Sequence, residues 1–111
     1  MKIKFKAKYT PEGEYNLEAR RYPNTRHALV LSTLDGEPQG VLTTNLPANP
    51  LNYAEIIIKD YSENEGTLQA LIEADIVQPP HRHIASGHVT LPVCLLTEKG
   101  RAFVEQEEVN E

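Results

Sequence analysis

The chain reads as an α+β domain in which an antiparallel, meander-rich sheet of five to six strands packs on one main helix. Three observations predict this class. The first is strict period-two alternation at the start, with Ile3, Phe5, Ala7 and Tyr9 interleaved with Lys2, Lys4, Lys6 and Lys8. The second is the recurrence of turn chemistry between apolar runs, at Pro11-Glu12-Gly13 and at Asp35-Gly36-Glu37-Pro38. The third is a single stretch with helical spacing, Leu68, Leu71 and Ile72 inward and Gln69 and Glu73 outward.

Taken in order, Ile3 to Tyr9 form the first strand, and its lysine row reads chiefly as protection against edge-to-edge pairing of sheets. After the Pro11-Glu12-Gly13 turn, Tyr15, Leu17 and Ala19 alternate as a second strand. The run 28–34 is apolar at both parities, which marks a third strand covered on both faces. Asp35-Gly36 supplies the positive backbone dihedrals of a hairpin, and 39–45 returns as a fourth strand before Pro47 and Pro50 break the pattern. Ile56-Ile57-Ile58 is a short fifth strand.

Ser62 and Glu65 have the spacing of a capping box, which predicts a helix over 63–74 with Glu63 and Glu65 at the positive end of its dipole. Gly66 in its first turn reads as plain tolerance near a helix end, with a close backbone or ligand approach as the alternative. Pro79-Pro80 stops the helix. The segment 88–96 supplies a sixth strand, which Pro92 demotes toward an edge or a bulge. Residues 1–96 thus form the domain, and 97–111 a short terminal helix or frayed acidic tail.

Composition narrows the functional classes. A chain of 111 residues holds one core, filled mainly by aliphatic side chains because there are two Phe, five Tyr and no Trp. No apolar run reaches the roughly 20 residues of a membrane-spanning helix, and Met-Lys-Ile-Lys-Phe-Lys is not a signal sequence, so a cytoplasmic protein without membrane contact is expected. Cys94 has no intrachain partner and sits among Val93, Leu95 and Leu96, as an inert buried thiol would. The net charge of −5 is uneven: through Arg26 there are seven basic residues against three acidic, and the acidic excess lies beyond. That polarity argues against a broad nucleic-acid surface and permits an acidic patch to meet a basic partner.

Several blocks carry a resemblance. Gly40-Val41-Leu42-Thr43-Thr44-Asn45-Leu46-Pro47, then Ile58-Lys59-Asp60-Tyr61-Ser62-Glu63-Asn64-Glu65-Gly66, then Gly87-His88-Val89 and Pro92-Val93-Cys94 are similar to the successive blocks of a family of short uncharacterised bacterial proteins associated with plasmids, conjugative elements and phages. The likeness covers roughly residues 39 to 96. Where relatives carry a Thr-Gly-Arg-like turn after the helix, this chain has Pro80-His81-Arg82-His83. The resemblance implies a mobile-element origin and assigns no activity.

Candidates for chemistry are sparse. His81, His83 and His88 could approach one Zn²⁺ or Cu²⁺ ion, with Asp75 or Cys94 as a fourth ligand, but the spacing matches no recognised motif and no cofactor is expected. Neither Ser62 nor Ser86 stands in a nucleophile elbow, Glu55, Asp60, Glu63 and Glu65 are typical of a helix start, and no phosphate-binding glycine loop is present. A non-enzyme is expected. Residues 96–105 resemble the strand-to-helix exit of winged-helix regulators, yet the helix-turn-helix those proteins need does not precede them. The leading expectation is a noncovalent protein-interaction or accessory module contacting another protein through Lys59, Asp60, Glu63, Asn64 and Glu65. An inhibitor of a host defence nuclease acting through an acidic surface, and a metal-binding protein using the histidine loop, are the alternatives; monomer and homodimer both stay open.

Overall fold

A computed structural model of the chain describes residues 1–109, apart from the side chains of Glu63, Glu107, Glu108 and Val109. The strands are β1 (Lys2–Ala7), β2 (Thr10–Arg21), β3 (His27–Ser32), β4 (Pro38–Val41), β5 (Glu55–Ile57), β6 (Arg82–Ser86) and β7 (Val89–Leu95). The helices are α1 (Thr67–Glu73) and α2 (Glu98–Val109), and a single 3₁₀ turn, Ser62–Asn64, precedes α1. The class is α+β with antiparallel pairing, as expected. The expected single sheet of five to six strands on one main helix is corrected to seven strands in two sheets, ordered β1-β2-β3-β4 and β5-β7-β6, with two helices.

The extra strand is β6. Its sequence, Arg-His-Ile-Ala-Ser, buries only Ile84, so it carries almost no hydrophobic signal, yet it forms a hairpin with β7 across Gly87 at φ +61°. The fourth predicted strand divides: regular pairing stops at Val41, and Thr43 forms an isolated bridge to Ile58 that joins the two sheets. At the other end, Pro11 and Gly13 lie within β2, and the chain reverses at Lys8 and Tyr9 instead. Tyr9 therefore leaves the inward row and is 73% exposed.

Packing explains the isoleucine triplet. The small sheet is covered on both faces, so Ile56, Ile58, Cys94 and Leu96 enter the main core with Phe5, Leu17, Leu31 and Leu71. Ile57 and Val93 face a second cluster with Ile84 and Leu91. Full burial of each such aliphatic side chain contributes about 1.5–3 kcal/mol. Pro92, expected at an edge or bulge, lies instead in the central strand β7. Its carbonyl accepts from the Ile58 N–H at 3.0 Å, just past the end of β5. The main-chain groups of one antiparallel residue point to one side, so the missing N–H leaves the pairing with β6 intact.

The chain beyond β7 belongs to this core through Phe103 and Val104 of α2. Thr97 starts that helix: its hydroxyl accepts from the Gly100 N–H at 2.9 Å and donates to the Asp75 carbonyl. Gly100 lets the helix approach closely, because a Cβ there would stand 2.1 Å from the Ile76 carbonyl oxygen. Of the predicted acidic tail, 105–109 continue α2, while Asn110 and Glu111 lie outside the described residues.

Candidate interaction surface

The corner between β5 and α1 is held by a carboxylate other than the predicted one. Asp60 Oδ1 accepts from the main-chain N–H groups of Gly66 and Leu68, both at 3.0 Å. The Ser62/Glu65 capping box is not formed: Ser62 sits at φ +51° inside the 3₁₀ turn, and no side chain caps it. The helix consequently starts at Thr67 rather than at residue 63. Two opening N–H groups need an acceptor, and the Asp60 carboxylate reaches both across the turn.

Gly66 also has a more demanding role than tolerance near a helix end. It adopts φ +107°, and a Cβ there would lie 3.1 Å from Ala7 Cα and 3.2 Å from the Lys6 carbonyl oxygen. Beside it the Glu65 carbonyl accepts from the Lys8 N–H at 2.8 Å. The corner is thereby fastened to the end of β1.

The five predicted contact residues have separate fates. Asp60 is occupied within the fold, Asn64 Nδ2 donates to the Val41 carbonyl at 3.4 Å, and the exposed Glu65 carboxylate lies 4.0 Å from Lys8 Nζ. Lys59 is half-buried, and the side chain of Glu63 lies outside the described residues.

Next to this corner runs a groove that the sequence did not reveal. It has a volume of about 510 Å³ and lies between β1 and α1, with Phe5, Ala7 and Ala70 in its floor and Lys4, Lys6, Gln69 and Glu73 on its walls. β1 is one of the two edge strands of its sheet, β4 being the other. Met1 exchanges both main-chain bonds with Leu17, at 3.1 and 2.7 Å. Bonded pairs alternate along an antiparallel ladder, so Ile3 and Phe5 also face β2, whereas Lys2 and Lys4 turn their main-chain groups outward; past the register shift between Phe5 and Ala7, the Lys8 N–H also points outward, to the Glu65 carbonyl. The lysine row was legible in the sequence; its position beside α1 was not.

The histidines are arranged differently from the predicted cluster. His81 Nε2 contacts Glu55 Oε2, while His83 lies opposite Pro92 in the β6–β7 pairing and His88 is exposed beyond the Gly87 turn. Among the described residues no group of three or more His, Cys, Asp or Glu side chains is placed to hold a metal ion. Glu55 is instead a structural anchor. It receives Arg82 Nε and Nη2 at 2.9 Å each and the Asn52 N–H at 2.9 Å, and Arg82 also reaches the Pro50 carbonyl. The Arg82 bonds hold the carboxyl at about 2, against the opposing effect of burial, with Asn52 and His81 adding to the lowering.

Burial and, second, the charge of Asp60 push the Cys94 thiol up to about 12, which disfavours the nucleophilic thiolate. With Glu55 and Asp60 engaged inside the fold, neither contributes to an exposed acidic stripe. No described helix is long and apolar enough to cross a membrane. The chain matches no protein-family model, no curated protein and no solved structure.

Proposed function

We propose that the chain is a small noncovalent protein-interaction module, an accessory of mobile-element origin, whose contact face is the β1–α1 groove together with the adjoining corner at Lys59 and Glu65. The observation that supports this reading is an edge strand lying beside a helix, with apolar floor and charged walls and with outward main-chain groups. Such grooves accept other polypeptides by combining backbone hydrogen bonds with side-chain pockets. The mobile-element origin rests on the sequence blocks from Gly40 to Cys94 quoted above.

Site-specific photocrosslinking tests the reading. A photoreactive phenylalanine at Gln69, on the groove wall, is compared with one at Leu34, an exposed position outside the groove. Irradiation in bacterial lysate is expected to give a discrete adduct from position 69 that unlabelled protein competes away. Equal labelling from both positions, or none from 69, contradicts the assignment.

A further inference from the structure

We infer that the free edge of β1 binds an extended acidic peptide as an added antiparallel strand, pairing with Lys2, Lys4 and Lys6; this deepens the interaction-module reading and rests on it. Two features coincide on this edge. The main-chain groups of Lys2 and Lys4 turn away from β2 and meet no hydrogen-bond partner among the described residues, and the edge continues through Lys6, across the register shift, to the Lys8 N–H. The ammonium groups of Lys2, Lys4 and Lys6 likewise have no ion-pair partner among the described residues, although Glu14 stands opposite Lys4 in the ladder.

The groove limits what can be added. The Gly66 Cα packs toward the Lys6 carbonyl, and the Lys8 N–H is taken by the Glu65 carbonyl, so pairing stops at Lys6. An added strand covering Lys2 to Lys6 needs five residues, a length of about 17 Å. Its side chains alternate. One set falls on the lysine face, where acidic residues stand directly across from ammonium groups, a pairing that contributes about 0.2–1 kcal/mol per pair. The other set falls over Phe5, Ala7 and Ala70, where small apolar residues fit.

The same chemistry discriminates between occupants. A second copy pairing antiparallel through β1 would set lysine against lysine, which like-charge repulsion opposes. A nucleic acid could meet the ammonium groups through its phosphates. Its backbone has no N–H to offer the outward carbonyls of Lys2 and Lys4, which an added peptide strand satisfies. An acidic polypeptide therefore answers both features, and the lysines act as a filter on an edge that would otherwise accept any strand.

The test begins with a displayed library of random heptapeptides selected against the full chain. Enriched sequences are expected to carry Asp or Glu at every second position around small apolar residues. Synthetic versions are then measured by fluorescence anisotropy at low and high salt. Methylating alternate peptide nitrogens should weaken binding at least tenfold when the strand-facing N–H groups are removed and little in the other register. The double substitution Lys4→Glu, Lys6→Glu should weaken it at least tenfold while circular dichroism shows an unchanged fold.

Peptides that bind regardless of methylation and of the lysine substitutions would overturn strand addition while leaving the interaction-module reading intact. Absence of any enriched acidic pattern overturns the inference, and the crosslinking result at Gln69 decides the broader reading separately. Lysine-dependent binding of a labelled oligothymidylate, with no peptide binding, would reassign the row to nucleic acid and overturn it as well.

Discussion

Replacing Asp60 by alanine probes the one carboxylate that organises the corner. Its Oδ1 accepts two N–H groups of the α1 start at 3.0 Å, and both donors lose their acceptor in the variant. Hydrogen bonds to a charged acceptor contribute about 1.5–3 kcal/mol each when well buried, and loss of a helix cap costs about 0.5–2 kcal/mol. Asp60 is half-buried, so water replaces part of what is lost, and a net destabilisation of about 2–3 kcal/mol is expected. For a domain of this size that lowers Tm by about 8–15 °C. Urea unfolding followed by far-ultraviolet circular dichroism should show a lower midpoint at unchanged slope. Asp60→Asn, which keeps one acceptor oxygen, should lose about half as much. Ser62→Ala is the paired control: its hydroxyl caps nothing, and both residues bear the same positive φ, so the change should stay within about 0.5 kcal/mol. If Ser62→Ala costs more than Asp60→Ala, the capping box governs this junction and the account of the corner is wrong.

Other perturbations test separate parts of the fold. Gly100→Ala improves helix propensity by about 1 kcal/mol, but its Cβ would lie 2.1 Å from the Ile76 carbonyl oxygen; a net loss of about 2–4 kcal/mol in thermal unfolding is expected, and a neutral result would contradict the close approach. Thr67 is fully buried and its hydroxyl has no partner among the described residues, so the isosteric Thr67→Val should raise stability by about 1 kcal/mol in the same assay, whereas a loss would reveal a bond to that oxygen. The Glu55 carboxyl is lowered in the folded state from 4.5 to about 2, so its contribution is fully present above pH 4.5 and disappears as pH falls toward 2. That contribution is about 1–2 kcal/mol after allowance for solvent at Arg82 and His81, whose side chains are 39% and 36% exposed. Glu55→Gln should therefore lose stability at pH 7 and show a shallower decline between pH 4.5 and 2, measured by urea midpoints across that range.

Legibility in the sequence followed how much local information each element carried. β1, β2, β3, β5 and β7 announced themselves because their apolar residues alternate or cluster where a sheet buries them. β6 did not, since one buried residue, Ile84, cannot set a period; its partner strand imposes its conformation. The helix start was misplaced because Ser62 and Glu65 have the right spacing, while Asp60 reaches the same kind of N–H groups from farther back along the chain. Pro92 misled because its tolerance depends on which neighbour its nitrogen faces, a matter of register. For the candidate site, the lysine row was visible, and the strand that carries it lies at an edge of its sheet. The groove beside it needs α1 packed along β1, a contact between segments some sixty positions apart that no local pattern encodes.

The bridge between Thr43 and Ile58 also marks where near and distant pairings meet. The first four strands follow one another through short reversals, so their pairing costs little chain entropy. β5 must find β7 across the whole of α1 and the β6 hairpin, a closure that costs about 2 kcal/mol more than a four-residue turn. Until that closure, Ile57 lacks Val93, Ile84 and Leu91, and Ile56 and Ile58 lack Cys94 and Leu96. The closure thus decides how long this β-prone run of a newly made chain stays unpaired, the state in which such a segment pairs with other chains.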